Sequence, residues 1–115
     1  MAIDINQTMD VIEALENFLF KKRPPEALRN QVDIAYKIED QSVIIYEIRP
    51  RWNNPNEIME SAIAKTTYVK ARQHWNVFWK RADLKWHVYQ PKPSVKTINE
   101  FVKLVVEDKH HCFWG

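Results

Sequence analysis

From Asp4 to Phe20 apolar side chains return every three or four positions: Ile5, Met9, Ile12, Leu15 and Leu19, with Val11 and Phe18 alongside. That rhythm predicts an amphipathic helix. Asp4 with Gln7 three residues on supplies a capping box, and Lys21-Lys22-Arg23 offsets the carbonyl end of the helix dipole. Pro24-Pro25 prevents continuation, and Pro25 suits the start of a short helical turn through Glu26, Ala27 and Leu28. At Val32 the period changes to two. Val32, Ile34, Tyr36 and Ile38 alternate with polar residues, and after Glu39-Asp40-Gln41 the run Val43 to Ile48 is apolar on both faces. These two segments predict a hairpin whose outgoing strand lies near the sheet centre, with Pro50 stopping its ladder.

Residues 55–72 carry two signals. Asn54 with Glu57, and Pro55 between them, suit a helix start, whereas Thr66-Thr67-Tyr68-Val69 prefers strand. The expectation is a loop with one helical turn, then a strand from about Ile63 to Lys70. The next stretch, Trp75 to Tyr89, packs aromatic and cationic residues into two adjacent strand patterns. Alternation puts Trp75, Val77 and Trp79 on one face and Asn76, Phe78 and Lys80 on the other. On the returning strand Trp86 and Val88 point one way, and Lys85, His87 and Tyr89 the other. Ala82-Asp83-Leu84 suits the loop between them, with Asp83 accepting backbone N–H groups. Pro91 and Pro93 form a stiff link to a last helix, which Thr97 and Glu100 cap and Ile98, Phe101, Val102 and Val105 anchor. The terminal His110-His111-Cys112-Phe113-Trp114-Gly115 is too aromatic for a free tail and is expected to dock on the body.

The predicted architecture is α+β: an antiparallel meander of about five strands with an N-terminal and a C-terminal helix on one face. With 115 residues, 45% of them apolar, residues 1–115 fit a single domain with one core. The only glycine is Gly115, so phosphate-cradling loops and dinucleotide-binding turns have no material, and hairpins must turn without glycine. A single cysteine, Cys112, excludes an internal disulfide and suggests a reducing compartment. No leader pattern or long apolar run is present, so the expected location is the cytoplasm, with no membrane partner.

Charge changes the picture once the chain is divided. Residues 49–92 hold nine Lys/Arg against three Asp/Glu, a net of +6, and the remainder sums to −4. The same segment holds Trp52, Trp75, Trp79 and Trp86, four of the five tryptophans. Cations for phosphates and rings for bases are what single-stranded or structured nucleic acid binding uses. Alternatively the tryptophans are core anchors and the cations their solvated neighbours.

The candidate chemistries are few. His110, His111 and Cys112 are consecutive, whereas zinc motifs space their ligands, so neither a metal nor a cofactor is expected. Asp33, with Glu47-Ile48-Arg49 on the next strand, imitates the acidic residue and E-x-K set of restriction-endonuclease-like, magnesium-dependent nucleases. Arg49 stands where that set has lysine and cannot release a proton, and such a fold needs a helix after its third strand.

EIRPRW at Glu47 to Trp52, IAKTTYVK at Ile63 to Lys70, WKRADLKWHVY at Trp79 to Tyr89 and the terminal CFWG together resemble the short, mostly bacterial proteins grouped as domain of unknown function 3024. The similarity runs from about Pro24 to the end. It implies a small stand-alone bacterial protein and brings no activity or functional residues with it. The residues themselves lead to a non-enzymatic nucleic-acid-binding domain whose sheet face gathers Arg49, Arg51, Trp52, Lys80, Arg81, Lys85, His87 and Tyr89. The alternative is a homodimer or partner-binding module that buries the same face against protein.

Overall fold

Both helices form where their caps place them. In the computed structural model, which describes residues 3–114, α1 spans Ile5–Lys22 and α2 spans Ile98–Glu107. The Gln7 N–H donates to the Asp4 carboxylate at 2.8 Å and Gln7 Oε1 accepts the Asp4 N–H at 3.2 Å, so the predicted capping box is complete. Thr97 Oγ1 accepts the Glu100 N–H at the start of α2. A 3-10 turn at Glu26–Leu28 follows the two prolines, as expected.

Between the helices run β1 (Asp33–Glu39), β2 (Ser42–Arg51), β3 (Asn54–Val69), β4 (His74–Lys80), β5 (Trp86–Val88) and β6 (Ser94–Val95). The antiparallel order is β1-β2-β3-β4-β5, and β6 pairs with β4 beyond the end of β5. The proline link runs between those two short strands: Val77 accepts the Tyr89 N–H and donates to the Pro93 carbonyl, both at 2.9 Å. Without glycine to use, the turns place Asp40, Gln73 and Leu84 at positive φ, near 50–63°. Asp40 tolerates this through its short polar side chain. Asp83 accepts the Lys85 N–H at 2.9 Å, which is the predicted loop contact.

Three expectations need correction. Residues 55–62 form no helical turn: they are the first half of the 16-residue β3. Their partner is the end of β2, which continues to pair past Pro50 to Arg51, with a register shift between the two. Beyond Ile48 β2 has lost β1 as a neighbour, and a residue without a backbone donor is tolerated on such an edge. The third correction concerns α1. Its inward stripe is Val11, Ala14, Leu15 and Phe18, while Ile5, Met9, Ile12 and Phe20 face outward. Apolar residues occupy more than one side of this helix, so packing on α2 and the sheet chose between two stripes of helical period.

Register places Ile34, Tyr36, Ile38, Val43, Ile45, Ala64, Thr66, Tyr68, Trp75, Val77 and Trp79 on one face of the sheet. The two helices cover that face, with Leu15, Phe18, Phe101 and Val105 completing one core. Thr66 is the one fully buried polar residue of the described sheet, and its hydroxyl donates to the Asn76 carbonyl at 2.7 Å. A bulge places one extra residue, Ile63, between the partners of Ile45 and Tyr46. It increases the local twist as β2 and β3 leave the sheet as a two-stranded arm.

The C-terminal segment docks as expected, with Gly115 outside the described residues. Asp108 ends α2 in the left-handed region, nearly buried, and its carboxylate accepts the N–H groups of Phe113 at 3.1 Å and Trp114 at 3.0 Å. The Trp114 indole donates to the Val105 carbonyl at 2.9 Å and lies against Phe18. Cys112 is half-buried, and burial followed by the Asp108 carboxylate pushes its thiol above the ordinary range.

Two outcomes follow for stability. Asp108→Ala strands two inward-facing N–H groups, so denaturant unfolding should show a loss of roughly 2–3 kcal/mol, with Asp108→Asn milder because it keeps an acceptor and tolerates the left-handed backbone. Burial, and next the Glu16 carboxylate, push the Tyr36 phenol up to about 12. An unfolded tyrosine ionises near about 10, so above that pH the unfolded state sheds a proton that the native state retains. Stability should therefore fall between about pH 10 and 12, and Tyr36→Phe should flatten that part of the alkaline unfolding profile.

Candidate functional site

The face of the sheet turned away from the helices carries the densest mixture of cations and rings. Lys37 on β1, Tyr46 on β2, Lys65 on β3, Phe78 and Lys80 on β4 and Trp86 on β5 share it by register. Lys65 Nζ lies 6.0 Å from the Phe78 ring centroid and 5.7 Å from that of Trp86, and Lys80 Nζ lies 5.4 Å from Trp86. Lys37 Nζ is 5.5 Å from the Tyr46 ring. The rings are half-buried by the lysine stems, and Ile44 beneath them is buried although no helix covers it. A lysine on an aromatic face gains about 0.5–1 kcal/mol at an exposed site, enough to orient the chain and too little to hold it against a phosphate. Lys65 and Lys80 form no ion pair among the described residues, whereas Lys37 has Glu39 at 3.6 Å.

Of the eight residues predicted from sequence, Lys80 alone stands on this face, while Arg81 and Lys85 lie in the adjoining β4–β5 loop. The others lie elsewhere. Arg49 pairs with Glu47 at 2.8 Å and Arg51 with Glu57 at 3.0 Å, each cation held by one carboxylate. Both belong to the projecting arm with Trp52, which is 93% exposed at its tip. Along β3 from Asn54, opposite Arg51, to Ala64, opposite Trp79, the rise is roughly 30 Å. The arm and the hairpin are therefore separate surfaces.

His87 and Tyr89 do not turn outward. His87 pairs with Trp79 on the helix-covered side and bonds Asp83 at 2.8 Å. The Lys85 N–H, then His87, hold the Asp83 carboxyl below its usual range. Tyr89 is 2% exposed and packs on Phe113, with ring centroids 4.9 Å apart. Arg81 follows the same side and lies 5.6 Å over Trp79. The expected outward row of Lys85, His87 and Tyr89 is thus the inward row, and Trp86 is outward. The cause is register. Lys80 pairs with Trp86 across a five-residue loop, which aligns odd-numbered residues of β4 with odd-numbered residues of β5. Alternation alone does not say which row of one strand meets which row of the next. The missed residues Lys37, Tyr46, Lys65, Phe78 and Trp86 needed that pairing to be recognised as neighbours.

The acidic residues considered for metal-dependent chemistry are engaged. Asp33 accepts two hydrogen bonds from Arg23, at 2.8 and 2.7 Å, and Glu47 is held by Arg49. The Arg23 guanidinium lowers the Asp33 carboxyl below the usual carboxylate range. Residues 54–69, where a nuclease of the kind considered needs a helix, are strand. Among the described residues no three His, Cys, Asp or Glu side chains converge as a metal site would require. No described helix is long and apolar enough to cross a membrane.

No curated protein and no solved structure matches the chain. The resemblance carried by the four sequence blocks, which began at about Pro24, extends further: the family model described as domain of unknown function (DUF3024) matches residues 4–115, taking in α1 as well. The chain belongs to that family.

Proposed function

We propose that this protein binds single-stranded nucleic acid, without catalysing a reaction, across the helix-free face of its sheet. The observation that carries this reading is the juxtaposition of Lys65 and Lys80 with Phe78 and Trp86, cations unpaired by carboxylates among the described residues and interleaved with rings. An incoming phosphate takes a lysine ammonium from its ring, and the ring face so uncovered accepts a base. Binding of this kind tolerates any sequence, because every base has a π-face, and weakens steeply with salt. Arg81, which lies over Trp79 on the other side of the sheet, and Lys85 in the adjoining loop are not required. Arg49, Arg51 and Trp52 on the arm are not required.

A second reading has its own observation. On the projecting arm Trp52 and Ile58 are exposed, and an isolated two-stranded ribbon is marginal in water. That favours a protein partner, such as a second copy, on the arm.

Titration of labelled single-stranded DNA or RNA at low salt should show saturable binding that falls as salt rises. Lys65→Glu combined with Lys80→Glu should lower affinity at least about tenfold and flatten the salt slope, since each lost phosphate contact removes roughly 0.7 from it. Trp86→Ala should cost about 1–3 kcal/mol of affinity, and Arg49→Ala should change little. Wild-type protein that binds nothing at low salt, or a double variant that binds as well as wild type, would end the proposal. For the second reading, sedimentation at high salt should show a dimer that Trp52→Ala with Ile58→Ser converts to monomer. A monomer at every salt concentration removes the self-pairing form.

A further inference from the structure

Away from the lysine and aromatic cluster, at the opposite end of β4, a groove of about 580 Å³ opens between the β3–β4 turn, β6 and the first turn of α2. Arg72, His74, Lys92 and Lys96 line it together with Ser94 and Glu100. These residues come from two separate stretches of chain, 72–74 and 92–100. Arg72 sits in the turn after β3 and His74 opens β4, on the same face as Phe78 and Lys80. Lys92 belongs to the proline link and Ser94 pairs with Asn76. Lys96 immediately precedes the Thr97 cap of α2.

None of Arg72, Lys92 and Lys96 forms an ion pair among the described residues, although five of the seven ion pairs there join a surface Lys or Arg to a carboxylate two to six residues away. Against these three cations the groove holds one carboxylate, Glu100. The positive end of the ten-residue α2 adds to the same field, since its first N–H groups lack carbonyl partners within the helix. Imidazole, hydroxyl and guanidinium groups supply directional donors beside the two ammonium charges.

From this arrangement we infer that the groove is a binding site for a phosphate group, distinct from the sheet-face site and independent of it. Arg72 is the group suited to a bidentate grip on two phosphate oxygens, with Lys92 and Lys96 supplying charge and Ser94 and His74 directional contacts. The phosphate comes either from a free phosphorylated small molecule or from the end of a nucleic acid strand. The groove chemistry is the same for both.

The test uses the full chain and pyrophosphate as the first probe, followed by nuclear magnetic resonance at constant ionic strength. Saturable shifts should appear at Arg72, His74, Lys92 and Lys96, with chloride producing none. Arg72→Gln combined with Lys92→Gln should weaken pyrophosphate binding at least about tenfold while leaving the thermal midpoint and the Lys65 and Lys80 resonances in place. A second arm compares one oligonucleotide with a 5′-phosphate and with a 5′-hydroxyl. Tighter binding of the phosphorylated form, lost in the double variant, identifies a strand end as the source. Pyrophosphate binding without that discrimination identifies a small molecule. Shifts that do not saturate, that chloride reproduces, or that spread evenly over Lys37, Lys65 and Lys80 would overturn the groove as a site. Because Arg72 and Lys92 lie outside the sheet-face cluster, loss of one activity leaves the other to be measured.

Discussion

The pairing of Lys80 with Trp86 across the β4–β5 loop is the constraint from which the surface chemistry of this protein follows. It sends Trp75, Trp79 and His87 to the side covered by the helices, and Lys80 and Trp86 to the side left open. A slip of one residue would exchange the two rows on β5, exposing His87 and Tyr89 and burying Trp86. The link after β5 stabilises the observed choice. Tyr89 and Pro93 both bond Val77, and Tyr89 is enclosed by Phe113, so the buried ring holds the register that the loop alone leaves free.

One-sided coverage governs the rest of the fold. Two helices provide enough apolar surface for one face of the sheet, and the chain after α2 seals the remaining gap. Trp114 reaches Val105 and Phe18, and Asp108 holds the backbone that delivers it. The other face is kept soluble by lysines whose stems lie over the rings. That solution leaves Phe78, Trp86 and Tyr46 accessible on exchange of a cation, which an aliphatic face under the same lysines would not offer.

Two arrangements of charge stand out on the sheet and its approaches. Arg23, Arg49 and Arg51 are each tied to a nearby carboxylate, in keeping with the planar fork that matches carboxylate geometry. Lys65 and Lys80 rest on aromatic rings instead, held weakly enough to be recruited by an anion. The excess of positive charge in residues 49–92 is therefore not one platform. Parts of it lie in a neutralised arm, in the lysine and ring cluster, and in the groove to which Arg72 and Lys92 belong.

Local signals determined much of this protein in advance. The capping residues Asp4 and Thr97, the proline pair after α1, the alternation in β1 and the Asp83 loop each act within a few residues, and each element formed where those residues placed it. The four sequence blocks likewise carried the family. Other features depended on partners distant in the chain. Residues 55–62 look like a helix start in isolation and become strand because the end of β2 supplies a ladder for them. The inward stripe of α1 was settled by α2 and the sheet, since its apolar residues cover more than one side. The composition of the open face was settled by register: alternation orders residues within a strand, but only hydrogen bonding between strands, locked here by the burial of Tyr89, decides which side chains become neighbours.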